Sequence, residues 1–304
     1  RPLDAIGSLL SIGALVSILY AIIEAPNAGW TSPETLGVAA LGIVLTLAFI
    51  RWERSTEYPM LPIDLFSKMG FTMGLVAISL AFFVMFSFMF TQMLHFQLVR
   101  GHTALEAAIR FLPLPLGLMP AAANSDKFVA KFGSNNVVAT GLTLITAGML
   151  LFTTVEIDTD YVRIALTFFL LGLGMGLTMA PSTTLVMESI PEDKAGVGSA
   201  TNDASREIGG ALGIAIGGSV LNEYYQRNLV VPEGLDSSGL TESFPTAMRI
   251  GLELMADGNM LGAELIANAR LAFMDGMVAS AMVSAGIALM TAILVKLYMP
   301  GKTE

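Results

Sequence analysis

Long runs of residues with no Asp, Glu, Lys or Arg alternate with short polar segments along the whole chain. A helix needs about 20 mostly apolar residues to cross the hydrocarbon core of a bilayer. Six of the runs reach or nearly reach that length, and their side chains do not alternate as those of membrane barrel strands do. The pattern therefore predicts membrane-spanning helices. The charge-free runs cover residues 5–23, 35–50, 69–99, 111–125, 132–155, 164–187, 208–222 and 276–295.

The fourth and seventh runs have only 15 residues each and become spans only if charged residues are included. The fourth span must include Glu106 and Arg110, and the seventh must include Asp203, Arg206 and Glu207. Because hydrocarbon admits only helices or closed barrels, we expect an all-α polytopic membrane protein with eight transmembrane helices. The predicted spans lie near residues 5–24, 33–53, 71–96, 104–123, 136–155, 162–187, 196–221 and 271–297.

Composition agrees with this pattern and excludes several classes of protein. Hydrophobic residues make up 54% of the chain and charged residues 13%, against roughly 25% charged in soluble domains. A soluble enzyme or a disordered chain is therefore not expected. A net charge of −9 argues against nucleic-acid partners. The chain has no cysteine and two histidines, and it lacks hydrolase motifs, so we expect no metal, no cofactor and no enzymatic activity.

The distribution of basic residues predicts the orientation of the spans. Eight spans place both ends of the chain on one side, and the short loops on the other side carry only Arg100 and Arg163. By the positive-inside rule, the basic side is cytoplasmic, in a plasma or inner membrane. The basic residues on that side are Arg1, Arg51, Arg54, Lys68, Lys127, Lys131, Lys194, Lys296 and Lys302.

The segment 222–270 differs in kind from the spans, and we expect an acidic external loop with surface helices there. Its acidic residues are Glu223, Glu233, Asp236, Glu242, Glu253, Asp257 and Glu264.

Polar residues and glycines share one face of the seventh predicted helix. At 100° per residue, Asn202, Arg206, Gly209, Gly213 and Gly217 fall on one stripe. Glycines four residues apart let a neighbouring helix approach closely, so this stripe is expected to face another helix.

Charged residues inside a span are functional candidates, because burying a charge in a bilayer costs at least a few kcal/mol. Two interpretations of Arg206 stay open: a helix clamp that pairs with Asp203 or Glu207 near a gate, or direct contact with a substrate or proton. In the fourth span, Glu106 and Arg110 are spaced to pair, and Arg110 either snorkels to the interface or lines a cavity.

Asp275, near the outer end of the last span, has two interpretations as well. It is either a proton carrier in apolar surroundings or a solvated acid at a helix end.

Several strings resemble EmrB/QacA-type proton-coupled drug exporters of the major facilitator superfamily. The most specific string, residues 195–213, reads AGVGSATNDASREIGGALG and resembles the penultimate helix of those exporters. Further matching strings are Ile23-Glu24-Ala25-Pro26 with Gly29-Trp30, Trp52-Glu53-Arg54 with Pro59-Met60-Leu61, Asp64-Leu65-Phe66 and Phe111-Leu112-Pro113.

The resemblance implies a place for this chain within a longer transporter. Exporters of this type have six spans, two linker helices and six further spans. The chain would supply the two linker helices (1–56) and the C-terminal six-helix bundle (57–304), with two inverted three-helix repeats at 71–155 and 162–297. The N-terminal six-helix half, which forms the other wall of the cavity, would be a missing partner.

The resemblance also implies a function: export of lipophilic, often cationic, small molecules by alternating access as protons enter. Arg206, Asp203 and Glu207 would act at the gate, with Asp275 and Glu106 as weaker carboxylate candidates and Arg110 as a cavity charge. Two other readings are a non-transporting scaffold or receptor module and a transporter of one metabolite or lipid.

A basic cytoplasmic loop at 125–133 would take part in gating through Asp126, Lys127 and Lys131. Asn135 and Asn136 stand where relatives often carry arginines.

Overall fold

In a computed structural model, the chain folds into helices. The structure describes residues 4–57, 59, 61–235, 239–241 and 243–301, and within these residues no strand is present. Arg1 and Lys302 of the topology argument, Met60 of one matching string, and Asp236 and Glu242 of the acidic segment lie outside the described residues.

Ten α-helices form the described part of the chain. α3 continues without a break into a π-helical turn, His95–Val99, and short 3-10 helices lie at Ile63–Ser67 and Glu192–Lys194. The helices are α1 Ala5–Ala28, α2 Pro33–Ser55, α3 Met69–Leu94, α4 Ala104–Arg110, α5 Pro113–Phe132, α6 Ser134–Phe152, α7 Tyr161–Glu188, α8 Ala195–Asn228, α9 Phe244–Ala256 and α10 Leu261–Tyr298.

Seven helical segments among the described residues are long and apolar enough to cross a membrane: α1, α2, α3, α4 with α5, α6, α7 and α10. The all-helical, multi-pass fold predicted from the sequence is therefore confirmed. The predicted seventh span, α8, is long enough at 34 residues but is not apolar enough by itself. It packs between α3 and α10, and that packing is what includes it in the bundle.

The fourth predicted span is broken near Pro113, and residues Ala104–Phe132 together form one segment long and apolar enough to cross a membrane. α4 ends at Arg110 and α5 begins at Pro113. A proline ring cannot donate a backbone hydrogen bond and fits best at the first position of a helix, so Pro113 separates the two.

α5 also continues past the predicted end of the span. No helix-breaking residue follows Pro120 until Gly133, whose φ of +84° ends the helix. The prediction of a basic loop at 125–133 is therefore wrong, because residues 125–132 are helical. Asp126, Lys127 and Lys131 lie on the last turns of α5.

Much of the segment predicted as an external loop, 222–270, is helical. It contains the end of α8, all of α9 and the first ten residues of α10, which begins at Leu261 instead of near 271. Tertiary contacts stabilise these extensions. The rings of Phe244 and Phe273 stack with centroids 4.2 Å apart, and Gly251 and Gly262 allow α9 and α10 to touch through their backbones.

The helices after α2 form two groups of three that pack in corresponding ways. In this correspondence α3 matches α7, α5 matches α8, and α6 matches α10. α3 packs on α8 as α7 packs on α5, and α10 packs on α3 as α6 packs on α7. Two repeats of related structure would pack this way, and the assignment of repeats stays a prediction. The hairpin of α1 and α2 lies beside this bundle, with α1 against α8.

The bundle has two ends, named here by residues that lie there. At the Lys194 end, Lys194 Nζ donates to the Pro59 carbonyl at 2.8 Å, and Ser134 N donates to Gly301 O at 2.8 Å. At the Trp30 end, Arg100 Nη2 donates to Thr159 O at 2.6 Å.

Candidate functional site

The glycine stripe of α8 lies against α3. A Cβ atom at Gly209 or Gly213 would contact the backbone carbonyl oxygen of Ser79 or Phe83, respectively. These two helices therefore touch through their backbones, as glycines at this spacing permit. Asn202, on the same stripe, is buried.

Arg206 lies beside this contact and lines a cleft. Its Nη1 is 3.4 Å from Asp203 Oδ1, and its Cζ lies 5.6 Å from the ring centroid of Phe82. Its Nε is buried and has no acceptor among the described residues. Glu207, one residue further along α8, is exposed. Arg206 thus joins a carboxylate and an aromatic ring at one point on the wall of a cleft.

The cleft has a volume of about 1340 Å³ and runs along α8 between α1 and α3. Phe82, Phe86 and Phe90 form an aromatic row on α3, spaced four residues apart so that they share one face. Phe82 and Phe86 stack with centroids 5.9 Å apart. We call these three residues the phenylalanine row.

Glycines of α8 lie directly beside the phenylalanine row. A Cβ at Gly210 would lie 3.3 Å from the ring of Phe86, and a Cβ at Gly218 would lie 3.4 Å from Phe90. The side chains of α1 form the opposite wall. Phe86 is 38% exposed and Phe90 40% exposed, so both rings keep part of their surface open to the cleft.

Charged side chains lie at both ends of the phenylalanine row. Asp203, Arg206 and Glu207 line one end, and Glu223 lines the other. At 1.5 Å per residue, Glu207 and Glu223 are about 24 Å apart along α8. Glu223 accepts from Arg227 at 2.6 Å. Near that end, Trp30 Nε1 donates to Ser219 Oγ at 3.0 Å and joins α1 to α8.

Glu106 and Arg110 do not form the expected side-chain pair. The Glu106 carboxylate accepts from Thr103 N at 2.8 Å in a capping box, which occupies it at the start of α4. Arg110 Nη1 donates instead to the Glu106 carbonyl at 3.0 Å, and its Cζ lies 5.8 Å from the Tyr161 ring centroid. Neither residue lines the cleft.

The remaining candidates also lie away from the cleft. Asp275 is exposed and accepts from Asn228 Nδ2 at 3.0 Å, beside a smaller depression of about 840 Å³. Lys127 Nζ donates to Asn124 Oδ1 at 3.2 Å at the Lys194 end. The exposure of Asp275 and its hydrogen bond to Asn228 agree with the interpretation of Asp275 as a solvated acid at a helix end.

The last turns of α5 and the start of α6 contain the residues predicted for gating. Asp126 is exposed, and Lys131 lies 5.1 Å from the ring centroid of Phe132. Lys296 Nζ of α10 donates a hydrogen bond to Asn136 Oδ1, so the ammonium group of another helix lies beside this asparagine.

The phenylalanine row and two fully buried polar residues are not predicted from the sequence. The four-residue spacing of the phenylalanines was visible, but it also suits lipid-facing or packing residues. Gln92 Oε1 and His95 Nδ1 lie 3.2 Å apart at the π-helical turn, and both residues are completely buried. His95 was considered only as a metal ligand. Among the described residues, no group of His, Cys, Asp and Glu could hold a metal ion.

These observations define a multi-pass helical membrane protein with a cleft bordered by a charged helix. Residues 5–214 match the Major Facilitator Superfamily, and the chain belongs to that family.

Relatives within this family carry names that refer to drug efflux and resistance. The chain is 29% identical over 297 residues to the multidrug efflux pump LfrA of Mycolicibacterium smegmatis, covering 97% of this chain and 58% of LfrA. It is 31% identical over 235 residues to the multidrug resistance protein Stp of Mycobacterium tuberculosis, covering 75% of this chain and 42% of Stp.

A third relative is the tetracenomycin C resistance and export protein of Streptomyces glaucescens. It is 28% identical over 222 residues, which cover 73% of this chain and 41% of the relative. The matches therefore span about half the length of these relatives.

Proposed function

We propose that this chain is the C-terminal part of a fourteen-span, proton-coupled multidrug exporter. The observation that carries the proposal is the cleft, in which a partly exposed aromatic row ends at Asp203, Arg206 and Glu207. The printed names of the relatives support drug export as the activity. In this proposal the N-terminal six-helix half covers the open side of the cleft, and the Lys194 end faces the cytoplasm.

The cleft suits flat, lipophilic cations. Aromatic faces attract cations by about 0.5–2 kcal/mol, with the larger value in sites that exclude water. Asp203 and Glu207 add an electrostatic attraction at one end of the phenylalanine row. A neutral flat molecule would stack on the rings in the same way but would not be attracted by these carboxylates, so it would bind more weakly than a cation of the same shape.

Proton coupling follows from competition at the same carboxyl groups. Protonation of Asp203 or Glu207 would remove the charge that attracts a cation, so proton entry would favour release of the substrate. For transport, the proton must also bind the inward- and outward-facing states with different affinity. Arg206 would hold Asp203 at the mouth of the cleft and keep α8 against Phe82.

The test uses the protein expressed from its complete reading frame in cells that lack other ethidium exporters. Phe86→Ala removes the central ring of the phenylalanine row. We expect ethidium efflux to fall by several-fold to about tenfold, since a lost cation–π contact of about 1 kcal/mol changes affinity to that extent.

Phe169→Ala is the matched control, because Phe169 on α7 is 37% exposed, against 38% for Phe86, and does not line the cleft. Efflux at equal expression should be unchanged in the control. Equal efflux from both variants would contradict the proposed site. Absence of efflux from the unmodified protein would favour the scaffold reading or a metabolite transporter.

A further inference from the structure

Two carboxyl groups face each other at the Lys194 end of the α1–α2 hairpin. Glu53, in the last turns of α2, is only 3% exposed. Asp4 caps α1, and its Oδ1 accepts from Gly7 N at 2.8 Å. A Cβ at position 7 would lie 2.7 Å from Glu53 Oε1 and would also contact Asp4 Oδ2. The glycine therefore provides the space that the two carboxyl groups share.

Three of the four carboxyl oxygens have a donor. Asp4 Oδ1 accepts from Gly7 N, and Trp52 Nε1 lies 2.9 Å from Asp4 Oδ1 and 3.2 Å from Oδ2. Glu53 Oε2 accepts from Leu61 N at 2.9 Å. Glu53 Oε1 is buried and has no donor among the described residues. The oxygen that lacks a donor is the one that faces Asp4.

Two neighbouring carboxylates, one of them the buried Glu53, repel each other in their fully charged form. The positive end of the α1 macrodipole favours one negative charge there, and the three donor contacts of Asp4 favour placing it on that residue. Among the described residues, Asp4 and Lys194 are the charged groups that act on Glu53. Lys194 Nζ is engaged with the Pro59 carbonyl at 2.8 Å. With no donor to Glu53 Oε1 in the described part of the chain, a proton on this carboxyl group would satisfy the oxygen.

We propose that Asp4 and Glu53 form a proton-binding carboxyl pair that holds the α1–α2 hairpin closed at the Lys194 end. Glu53 carries the proton on Oε1 and donates it to Asp4 Oδ2. When the proton leaves to water, two adjacent carboxylates remain, and their repulsion separates the start of α1 from the end of α2. The pair is a binding site for one proton and does not depend on the proposed transport function.

The carboxyl pair is connected to the start of α8. Glu53 holds Leu61, and Lys194, directly before α8, holds Pro59 two residues away. Lys68 Nζ donates to the Ser189 carbonyl at 2.8 Å and adds a second link to the same turn. A change in the protonation of Glu53 would thus be transmitted to the turn that precedes the charged part of the cleft.

Trp52 provides an internal reporter, because its indole donates to Asp4. This part of the protein has two tryptophans, so Trp30→Phe leaves Trp52 as its only tryptophan, which excitation at the red edge of indole absorption separates from the tyrosines. In the purified protein we expect Trp52 emission to change with pH in a single one-proton step. Glu53→Gln should remove that step, because the amide of the glutamine donates to Asp4 at every pH.

Glu57→Gln is the matched control, since Glu57 is an exposed acid four residues further along the chain. It should leave the step unchanged. The proposal is overturned if Trp52 emission does not titrate, or if the same step persists in Glu53→Gln.

Infrared spectroscopy gives a second, direct measurement. A protonated carboxyl group has its own C=O stretching band, and we expect Glu53→Gln to remove one such band while Glu57→Gln retains it. If Glu53→Gln does not fold, the protein with the single Trp30→Phe change decides. Loss of the protonated-carboxyl band at the midpoint of the Trp52 step supports the pair, and different midpoints contradict it.

Discussion

Arg206 makes two contacts, each of which is weak. Its ion pair with Asp203 is partly exposed, with 29% of the arginine side chain and 64% of the aspartate accessible. Such pairs contribute about 0.2–1 kcal/mol to stability, and stacking on an exposed ring adds about 0.5–1 kcal/mol. The contacts therefore position charge at the mouth of the cleft more than they stabilise the fold.

We predict that Arg206→Ala lowers ethidium efflux at least as strongly as Phe86→Ala but shifts the thermal unfolding midpoint only slightly. Arg206→Lys should resemble Arg206→Ala, because lysine keeps the charge but lacks the planar group that stacks on Phe82. The measurements are efflux at equal expression and thermal unfolding in detergent.

Arg249→Ala is the control for these variants, because Arg249 forms an exposed ion pair with Glu253 outside the cleft. Unchanged efflux in Arg206→Ala would remove this arginine from the proposed mechanism.

At individual positions, periodicity located the α8 residues but not their partners. Arg206 and the glycines followed from 100° per residue, since a charge and small residues stand out in an apolar helix. Phe86 did not stand out, because a phenylalanine in an apolar run suits lipid, a core or a ligand equally. Glu53 has no signal in the sequence beyond its place in Trp52-Glu53-Arg54, because its burial depends on the folded hairpin.

At the level of elements, backbone contact between α8 and α3 fixes the shape of the cleft. Because the two helices approach at Gly209 and Gly213, the phenylalanine row of α3 lies beside α8, and Phe86 and Phe90 stay partly exposed. Helix ends were harder to predict than helices. α5 and α10 both extend beyond their apolar runs, because polar residues can continue a helix that packs on neighbours.

We predict that Gly213→Ala destabilises the protein by about 1–3 kcal/mol, the usual cost of overpacking. Its Cβ would contact the Phe83 carbonyl oxygen and lie 2.9 Å from the carbonyl carbon, so α8 would have to move away from α3. The thermal unfolding midpoint in detergent measures the effect.

Gly286→Ala, in α10, is the matched control, because its Cβ would have no neighbour within 4 Å among the described residues. It should be neutral or stabilising by up to about 1 kcal/mol, since alanine favours helices more than glycine does. Equal midpoints for the two variants would contradict the close contact of α3 and α8.

For the whole molecule, the orientation predicted from the basic residues gives a further prediction. This part of the protein has no cysteine, so a cysteine introduced here is the only one between residues 1 and 304, and the unmodified protein measures any background labelling. In intact cells, a membrane-impermeant maleimide should label Asp158→Cys at the Trp30 end and spare Lys127→Cys at the Lys194 end. Both side chains are exposed in the structure.

Permeabilised cells provide the control, since both cysteines should then react. Labelling of Lys127→Cys alone in intact cells would reverse the orientation and contradict the positive-inside argument for this chain.

The sequence by itself determined that this is a helical membrane protein, because crossing hydrocarbon requires long apolar helices and leaves a pattern that can be counted. It also identified α8 as the charged helix. Only the tertiary structure decided which of those charges meet an aromatic row, and that Glu53 faces Asp4. Such pairings depend on contacts between residues distant in the chain, and periodicity within one helix carries no record of its neighbours.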